Sequence, residues 1–212
     1  MEHIKVPGYL SAIFDCADGS GSYILGGVFM KNFVSKRQLM DSAAVSRAIT
    51  RMAFEIIEKN KGTEGLYLVG VQRRGVILAK RIAEKIREIE GVEIEMGVLD
   101  ITFYRDDLSM LSEHPTLSDT NISFPVTDSK IVLIDDVLYT GRTVRAAIDA
   151  IMELGRPKNI QLAILVDRGH RELPIRADYV GKNVPTSADE IIAVNLTEMD
   201  GKDNIEIGVI EK

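Results

Sequence analysis

This chain has almost nothing with which to cross-link itself, and no segment suited to crossing a bilayer as one helix. Of its 212 residues a single one is cysteine, Cys16, so no intrachain disulfide can form and a reducing compartment fits. Tryptophan is absent, and the three histidines, His3, His114 and His170, show no metal-ligand spacing. No apolar run approaches the roughly 18 residues that a membrane span requires. The N-terminus, Met1 to Pro7, lacks the basic start and apolar core of a signal peptide. A cytoplasmic protein without a membrane partner is therefore expected. Net positive charge is missing as well: at −6 the chain is poorly suited to broad nonspecific nucleic-acid binding, which leaves only a local basic face for such a role. Neither G-x-x-x-x-G-K-[ST] nor a G-x-G-x-x-G opening a helix after a strand occurs, and no G-x-S-x-G elbow is found. Triphosphatase, dinucleotide and serine-hydrolase readings lose their support.

What is present is ordinary for a globular protein, with 45% hydrophobic and 27% charged residues in a length that suits one domain. Residues 1–29 are rich in turn formers, and the apolar residues between them keep no period. The folded domain is expected to span 30–212, with 1–29 a poorly ordered extension. Asp41-Ser42 is a good N-cap for a helix whose Val45, Ile49, Met52, Ala53 and Ile56 share one face. Its opposite face carries Arg47, Thr50 and Arg51. Later, branched apolar runs of strand length alternate with helical periods. This pattern predicts an α/β fold with a mainly parallel sheet, right-handed crossovers, and ligands at the carboxyl ends of the strands.

The chemistry concentrates in Lys130-Ile-Val-Leu-Ile-Asp-Asp-Val-Leu-Tyr-Thr-Gly-Arg-Thr143. Ile131 to Ile134 reads as a buried strand, Asp135 and Asp136 follow, and Tyr139 to Thr143 form a polar turn before a helix running from Val144 to Leu154. Backbone N–H groups at a helix start seat phosphate, and a neighbouring acidic pair suits hydroxyls or a divalent metal. The bland alternative, two aspartates that merely end a strand and cap a helix, leaves the density of ligand-type groups unexplained.

A second strand–turn–helix runs from Leu66 to Val71, through Gln72-Arg73-Arg74-Gly75, into a helix from Val76. Cations at a helix start oppose its dipole, so Arg73 and Arg74 are expected to face an anionic group. A third strand over 93–104 leads to Arg105, and the long aperiodic stretch 105–127 is expected to act as a lid. The strand Ile160–Asp167 then enters a loop crowded with cations, Arg168 to Arg176.

Val132 to Thr143 resembles the 5-phosphoribosyl-1-pyrophosphate (PRPP) binding signature of type I phosphoribosyltransferases. The segments Asp100–Leu108 and Val166–Asn183 further resemble the bifunctional pyrimidine operon attenuator/uracil phosphoribosyltransferases, over roughly Ser35 to the C-terminus. That resemblance implies an enzyme, a glycosyltransferase with a small hood over its parallel sheet. It would convert uracil and PRPP to UMP and pyrophosphate with Mg²⁺, and would also bind pyrimidine operon leader mRNA in response to UMP. By the same resemblance Asp135 and Asp136 take the ribose hydroxyls, directly or with the Mg²⁺ that PRPP carries, with no other metal ligand. Val137, Leu138, Tyr139, Thr140, Gly141, Arg142 and Thr143 hold the 5-phosphate. Arg73, Arg74 and Gly75 form the pyrophosphate loop, Arg105 marks the base of the mobile hood, and Arg168 and Val184 border the base. Arg74, Arg105, Asp135 and Asp136 are the catalytic set so implied.

Where purine-salvage relatives carry an aspartate near the turn, this chain has Tyr139, which favours uracil over a purine. RNA would meet Thr50, Arg51, His170, Arg171, Arg176 and Lys182 on a homodimer or larger homo-oligomer. The RNA-binding branch carries a histidine three residues after the helix arginine; this chain has Phe54 there. The alternatives are a transferase without an RNA role and an attenuator with residual catalysis.

Overall fold

In the computed structural model, residues 22–25, 28–31, 33–101 and 120–211 are described. The chain opens with a hairpin of β1 (Ser22–Leu25) and β2 (Val28–Lys31), paired with each other. The boundary expected at Met30 falls within β2; residues 1–21 of the expected extension lie outside the described residues. After β3 (Phe33–Met40) comes α1 (Ser42–Asn60), capped by Asp41, whose carboxylate accepts from the Ala44 amide at 2.7 Å.

The order is then β4 (Leu66–Val71), α2 (Arg74–Glu90), β5 (Met96–Leu99), β6 (Lys130–Leu138), α3 (Arg142–Leu154), β7 (Asn159–Asp167), β8 (Tyr179–Asn183), β9 (Ile191–Asn195), α4 (Thr197–Asp200) and β10 (Asn204–Ile210). Five strands form a parallel sheet in the order β5-β4-β6-β7-β8, as the alternation of apolar runs and helices predicts. The remaining β3, β10 and β9 form a separate antiparallel sheet with β10 in the middle, the hood. Two of its strands were expected from their apolar runs. β3 was not, because most of its length is exposed and carries Ser35, Lys36, Arg37 and Gln38.

Pleating sends alternate residues of each central strand to opposite faces. Leu66 and Leu68 of β4, Val132 and Ile134 of β6, and Ala163 and Leu165 of β7 join the inner faces of α1 and α2 and of the hood strands in one core. Val69, Val71, Ile131, Leu133, Leu162 and Ile164 meet α3 in the other. Between β4 and β6 the crossovers part in opposite directions along the sheet: β4 crosses through α2 to β5 on one side, and β6 through α3 to β7 on the other. Such a switch point leaves a crevice beyond the carboxyl ends of the strands. Two glycines let α2 start in that crevice. A Cβ on Gly75 would lie 2.4 Å from the Ile134 carbonyl oxygen, and one on Gly70 would lie 2.5 Å from the Val76 Cα. Among the described residues, no helix is long and apolar enough to cross a membrane.

Two expectations shift in detail. The third strand shortens to Met96–Leu99, and residues 102–119, with Arg105, lie outside the described residues. The end of the expected lid is instead core. Phe124 is 4% exposed and stacks on Tyr67 with centroids 4.2 Å apart, and Val126 is buried beside it. Asn121 exchanges main-chain bonds with Val98.

Candidate active site

The acidic pair lies where β6 outruns its neighbour. β4 pairs with β6 as far as Ile134, whereas β7 continues alongside to Leu138. One edge of β6 beyond Ile134 is thus left to the start of α2. Asp135 is buried, and its Oδ1 accepts from the Asp136 amide at 2.9 Å; Asp136 Oδ1 accepts from the Val137 amide at 2.8 Å. Each carboxylate is thereby oriented by the amide that follows it, and both are acceptor groups suited to hydroxyl donors. Burial pushes the Asp136 carboxyl above its ordinary range, and the nearby positive charge of Arg74 opposes that shift.

Arg74 opens α2, and its guanidinium turns to the hood. Nε donates to the Val194 carbonyl at 2.7 Å, and one terminal nitrogen donates to both carboxylate oxygens of Asp200, at 3.1 and 3.2 Å. The charge that the helix dipole disfavours is met by a carboxylate of the same chain. Asp200 Oδ2 also accepts from the Leu196 amide, which fixes the short α4. Arg73, by contrast, is exposed in the turn, where the Gln72–Arg73 peptide is cis. Farther along α2, Arg81 makes forked bonds to Glu198 and Asp203, which raise its pKa and lower both of theirs. The hood therefore sits on α2 through two arginines.

On the other side of the pair, β6 ends at Leu138 and the turn Tyr139-Thr140-Gly141 leads into α3. Gly141 has φ +92, a left-handed conformation that favours glycine, and its carbonyl accepts from the Arg145 amide at 2.9 Å. An α-helix leaves its first N–H groups without intrahelical acceptors, so the start of α3 is a ready anion seat.

The third wall comes from the loop after β7. Arg168 is 6% exposed, its guanidinium carbon 4.0 Å from the centre of the Tyr139 ring; Nε donates to Thr186 Oγ1 and a terminal nitrogen to the Ser187 carbonyl. Burial lowers its pKa. The buried Val184 donates its amide to the Asp167 carbonyl at 2.8 Å. Tyr139, Arg168 and Val184 thus form one wall next to the start of α3, and His170 meets the Tyr139 ring edge-on at 5.9 Å.

The residues expected to meet RNA divide. Thr50, Arg51 and Lys182 gather where α1 meets β8, and their polar ends are engaged within the chain. Thr50 Oγ1 donates to the Ser46 carbonyl, Arg51 pairs with Glu55 and donates to the Val180 and Gly181 carbonyls, and Lys182 Nζ donates to the Leu39 carbonyl. Phe54 is 53% exposed on the same helix, in an open groove where Arg47 and Arg51 are balanced by Glu55 and Glu58. His170 and Arg171 belong instead to the wall of the site, with His170 Nε2 2.6 Å from the Thr186 carbonyl oxygen. Arg176 is exposed. Sequence reasoning missed Asp200, Thr186 and Asp167 as partners of the site arginines. The signal for the first was the carboxylate cluster Glu198, Asp200 and Asp203, which faces the arginines of α2.

Fold and site together define a phosphoribosyl transferase: the family model "Phosphoribosyl transferase domain" matches residues 35–200, and the chain belongs to that family. Within it the chain belongs with the proteins named "Bifunctional protein PyrR". It is 66% identical to that of Acetivibrio thermocellus over 179 residues, which cover 84% of this chain and 97% of the relative. It is 62% identical to that of Clostridioides difficile over 174 residues, 82% and 98% of the two chains. Among solved structures, the hypoxanthine phosphoribosyltransferase of Trypanosoma cruzi matches with a TM-score of 0.63 at 15% identity, covering 84% of this chain and 98% of that one. A hypoxanthine-guanine phosphoribosyltransferase of Bacillus anthracis matches with a TM-score of 0.63 at 17% identity, covering 83% and 99%. At such identities the structures establish the shared fold alone.

Proposed function

We propose that the chain, through a catalytic domain spanning 30–212, transfers the phosphoribosyl group of PRPP to uracil, giving UMP and pyrophosphate in the cytoplasm. The observation that carries this reading is the joining, at the end of β6, of an acidic pair, a helix-start anion seat and the Tyr139–Arg168 wall. In this reading Asp135 and Asp136 accept from the ribose hydroxyls. The 5-phosphate lies against residues 137–143, with the amides at the start of α3 as donors. The Arg73-Arg74-Gly75 turn faces the pyrophosphate, and Arg105, outside the described residues, completes the catalytic set that the resemblance implies. Uracil lies on the wall of Tyr139 and Arg168, near the backbone of Val184. As the bond from C1 of the ribose to pyrophosphate breaks and the bond to a uracil nitrogen forms, positive charge develops on the sugar and negative charge on the leaving group. Carboxylates on the sugar's side and the Arg73-Arg74-Gly75 turn on the side of the leaving group stabilise that separation.

Mg²⁺ fits this site as a companion of the substrate. Among the described residues, no group of three or more histidine, cysteine, aspartate or glutamate side chains could hold a metal. An adjacent carboxylate pair suits a hard cation that keeps most of its oxygen ligands from phosphate and water. Bound there, Mg²⁺ would neutralise charge on the leaving pyrophosphate. The test is turnover with Mg²⁺ and PRPP across uracil, hypoxanthine, guanine and orotate. UMP formation from uracil alone is expected, and turnover restricted to a purine would overturn the choice of base.

A second activity is supported by the word "bifunctional" in the names of the relatives: UMP-responsive regulation of pyrimidine operon transcription by binding leader mRNA, on a homodimer or larger assembly. Arg176 and Lys182 are exposed cations among the candidates, although Lys182 Nζ also donates to the Leu39 carbonyl. A leader hairpin should bind more tightly with UMP present and more weakly at higher salt, and Arg176→Ala with Lys182→Ala should flatten the salt dependence. Absence of hairpin binding at low salt with UMP present would reject this reading.

A further inference from the structure

Arg171 was expected on the RNA face, yet its guanidinium is spent inside the chain. Nε donates to the Ile175 carbonyl at 3.1 Å; one terminal nitrogen reaches the carbonyls of Leu138, Tyr139 and Gly169 at 3.3, 2.8 and 3.0 Å. The other terminal nitrogen pairs with the carboxylate of Asp167, and the two side chains are 21% and 15% exposed. Its neighbours continue the same grip along the phosphate turn. The amides of Glu172 and Leu173 both donate to the Thr140 carbonyl, at 3.0 and 3.2 Å, and the amide of Arg168 donates to that of Leu138 at 3.1 Å. The Glu172 carboxylate accepts from Arg142 Nε at 2.8 Å. A Cβ on Gly141 would touch Leu173 and Ile175 at 3.4 to 3.5 Å. Leu138, Tyr139, Thr140 and Arg142 are thus each bonded to the segment 168–175, and Gly141 lies close against it.

We propose that Arg171 is a positioning residue for the phosphate turn, clamping the Leu138 and Tyr139 carbonyls so that the start of α3 keeps the geometry an anion requires. This rests on the reading of that turn as the seat of the 5-phosphate. Four backbone carbonyls and a carboxylate lie around one planar fork, an arrangement that a lysine ammonium cannot reproduce. The clamp acts first on binding of the phosphorylated sugar; the base, which borders the ring of Tyr139 rather than the gripped carbonyls, should sense it less.

The experiment uses the full chain and two variants, Arg171→Lys and Arg171→Ala, with ribose 5-phosphate titrated calorimetrically and KM for PRPP and for uracil measured with Mg²⁺. Displacement of a binding group by about 1 Å can cost on the order of 100-fold. The expected result is therefore a roughly 10- to 100-fold loss of affinity for ribose 5-phosphate, and a matching rise in KM for PRPP, in both variants. KM for uracil should rise much less than KM for PRPP. Amide exchange at Thr140 to Thr143 should quicken in Arg171→Lys while that of Ile131 to Ile134 is unchanged, a readout available even if Arg171→Ala does not fold. Rescue by lysine to wild-type affinity would overturn the clamp, as would unchanged amide exchange. If the wild-type chain binds neither ribose 5-phosphate nor PRPP, the functional reading itself falls and the clamp with it. If the wild type binds both and the variants match it, only the clamp is overturned.

Discussion

Arg74 and Asp200, 126 residues apart in sequence, form an ion pair whose side chains are 5% and 3% exposed. It joins the turn after β4 to the hood, and the charge of the same arginine opposes the rise that burial imposes on the Asp136 pKa. Breaking such a pair from one side leaves a buried charge without its partner, a loss of about 3–5 kcal/mol. Asp200→Ala should show that loss in urea unfolding. Replacing both partners, as in Arg74→Met with Asp200→Leu, should recover much of the stability without recovering turnover, because Asp136 then lacks its positive neighbour. A double variant as active as the wild type would refute the link to Asp136.

The sign of the Asp136 shift gives a second expectation. Burial holds its carboxyl above the ordinary range in the folded chain. Between the unfolded and the folded pKa the folded state keeps a proton that the unfolded state has released, so stability falls as pH rises through that window. Asp136→Asn removes the penalty. It should abolish turnover yet leave the fold more stable than wild type at neutral pH, with a flatter pH dependence just above the carboxylate range. Urea midpoints at a series of pH values, measured beside PRPP turnover, test this; identical pH slopes for the two proteins would refute it.

Gly75 lets α2 approach β6 at the acidic pair. With a Cβ only 2.4 Å from the Ile134 carbonyl, Gly75→Ala must move main chain against main chain. Such overpacking costs about 1–3 kcal/mol. The melting temperature should fall, and KM for PRPP should rise, since Arg73 and Arg74 ride on the displaced turn.

The ring of Tyr139 carries the buried Arg168 guanidinium. A desolvated cation–π contact contributes up to about 2 kcal/mol. Tyr139→Leu should therefore loosen Arg168 and raise KM for uracil well above any change in affinity for ribose 5-phosphate. Equal effects on both ligands would place the ring elsewhere in the mechanism.

The sheet could be read from sequence because its strands are buried on both faces and spell out unbroken branched runs, as Ile131 to Ile134 do. The turn from β6 into α3 was equally legible, since glycine and hydroxyl residues mark the break between a strand and a helix. β3 escaped because its exposed residues obey no apolar period. The partners of the arginines escaped for another reason. A side chain that binds main-chain carbonyls, as Arg171 binds those of Leu138 and Tyr139, meets acceptors that every residue possesses, so no residue type marks them. Arg74 could be recognised as a misplaced cation at a helix start, but nothing local to it pointed to Asp200.

The position of β10 between β3 and β9 has a consequence for the order in which the molecule is made. A nascent chain extended through Asn183 already holds all five strands of the parallel sheet and the phosphate turn, all of which close over comparatively short spans. β3, synthesised before any of them, has no partner until β10 leaves the ribosome, and Arg74 stays without Asp200 for almost as long. Pairings of such long range form slowly. The hood is therefore the last part of the site to be completed, and a chain stalled before Asn204 would hold β3 without its β10 partner.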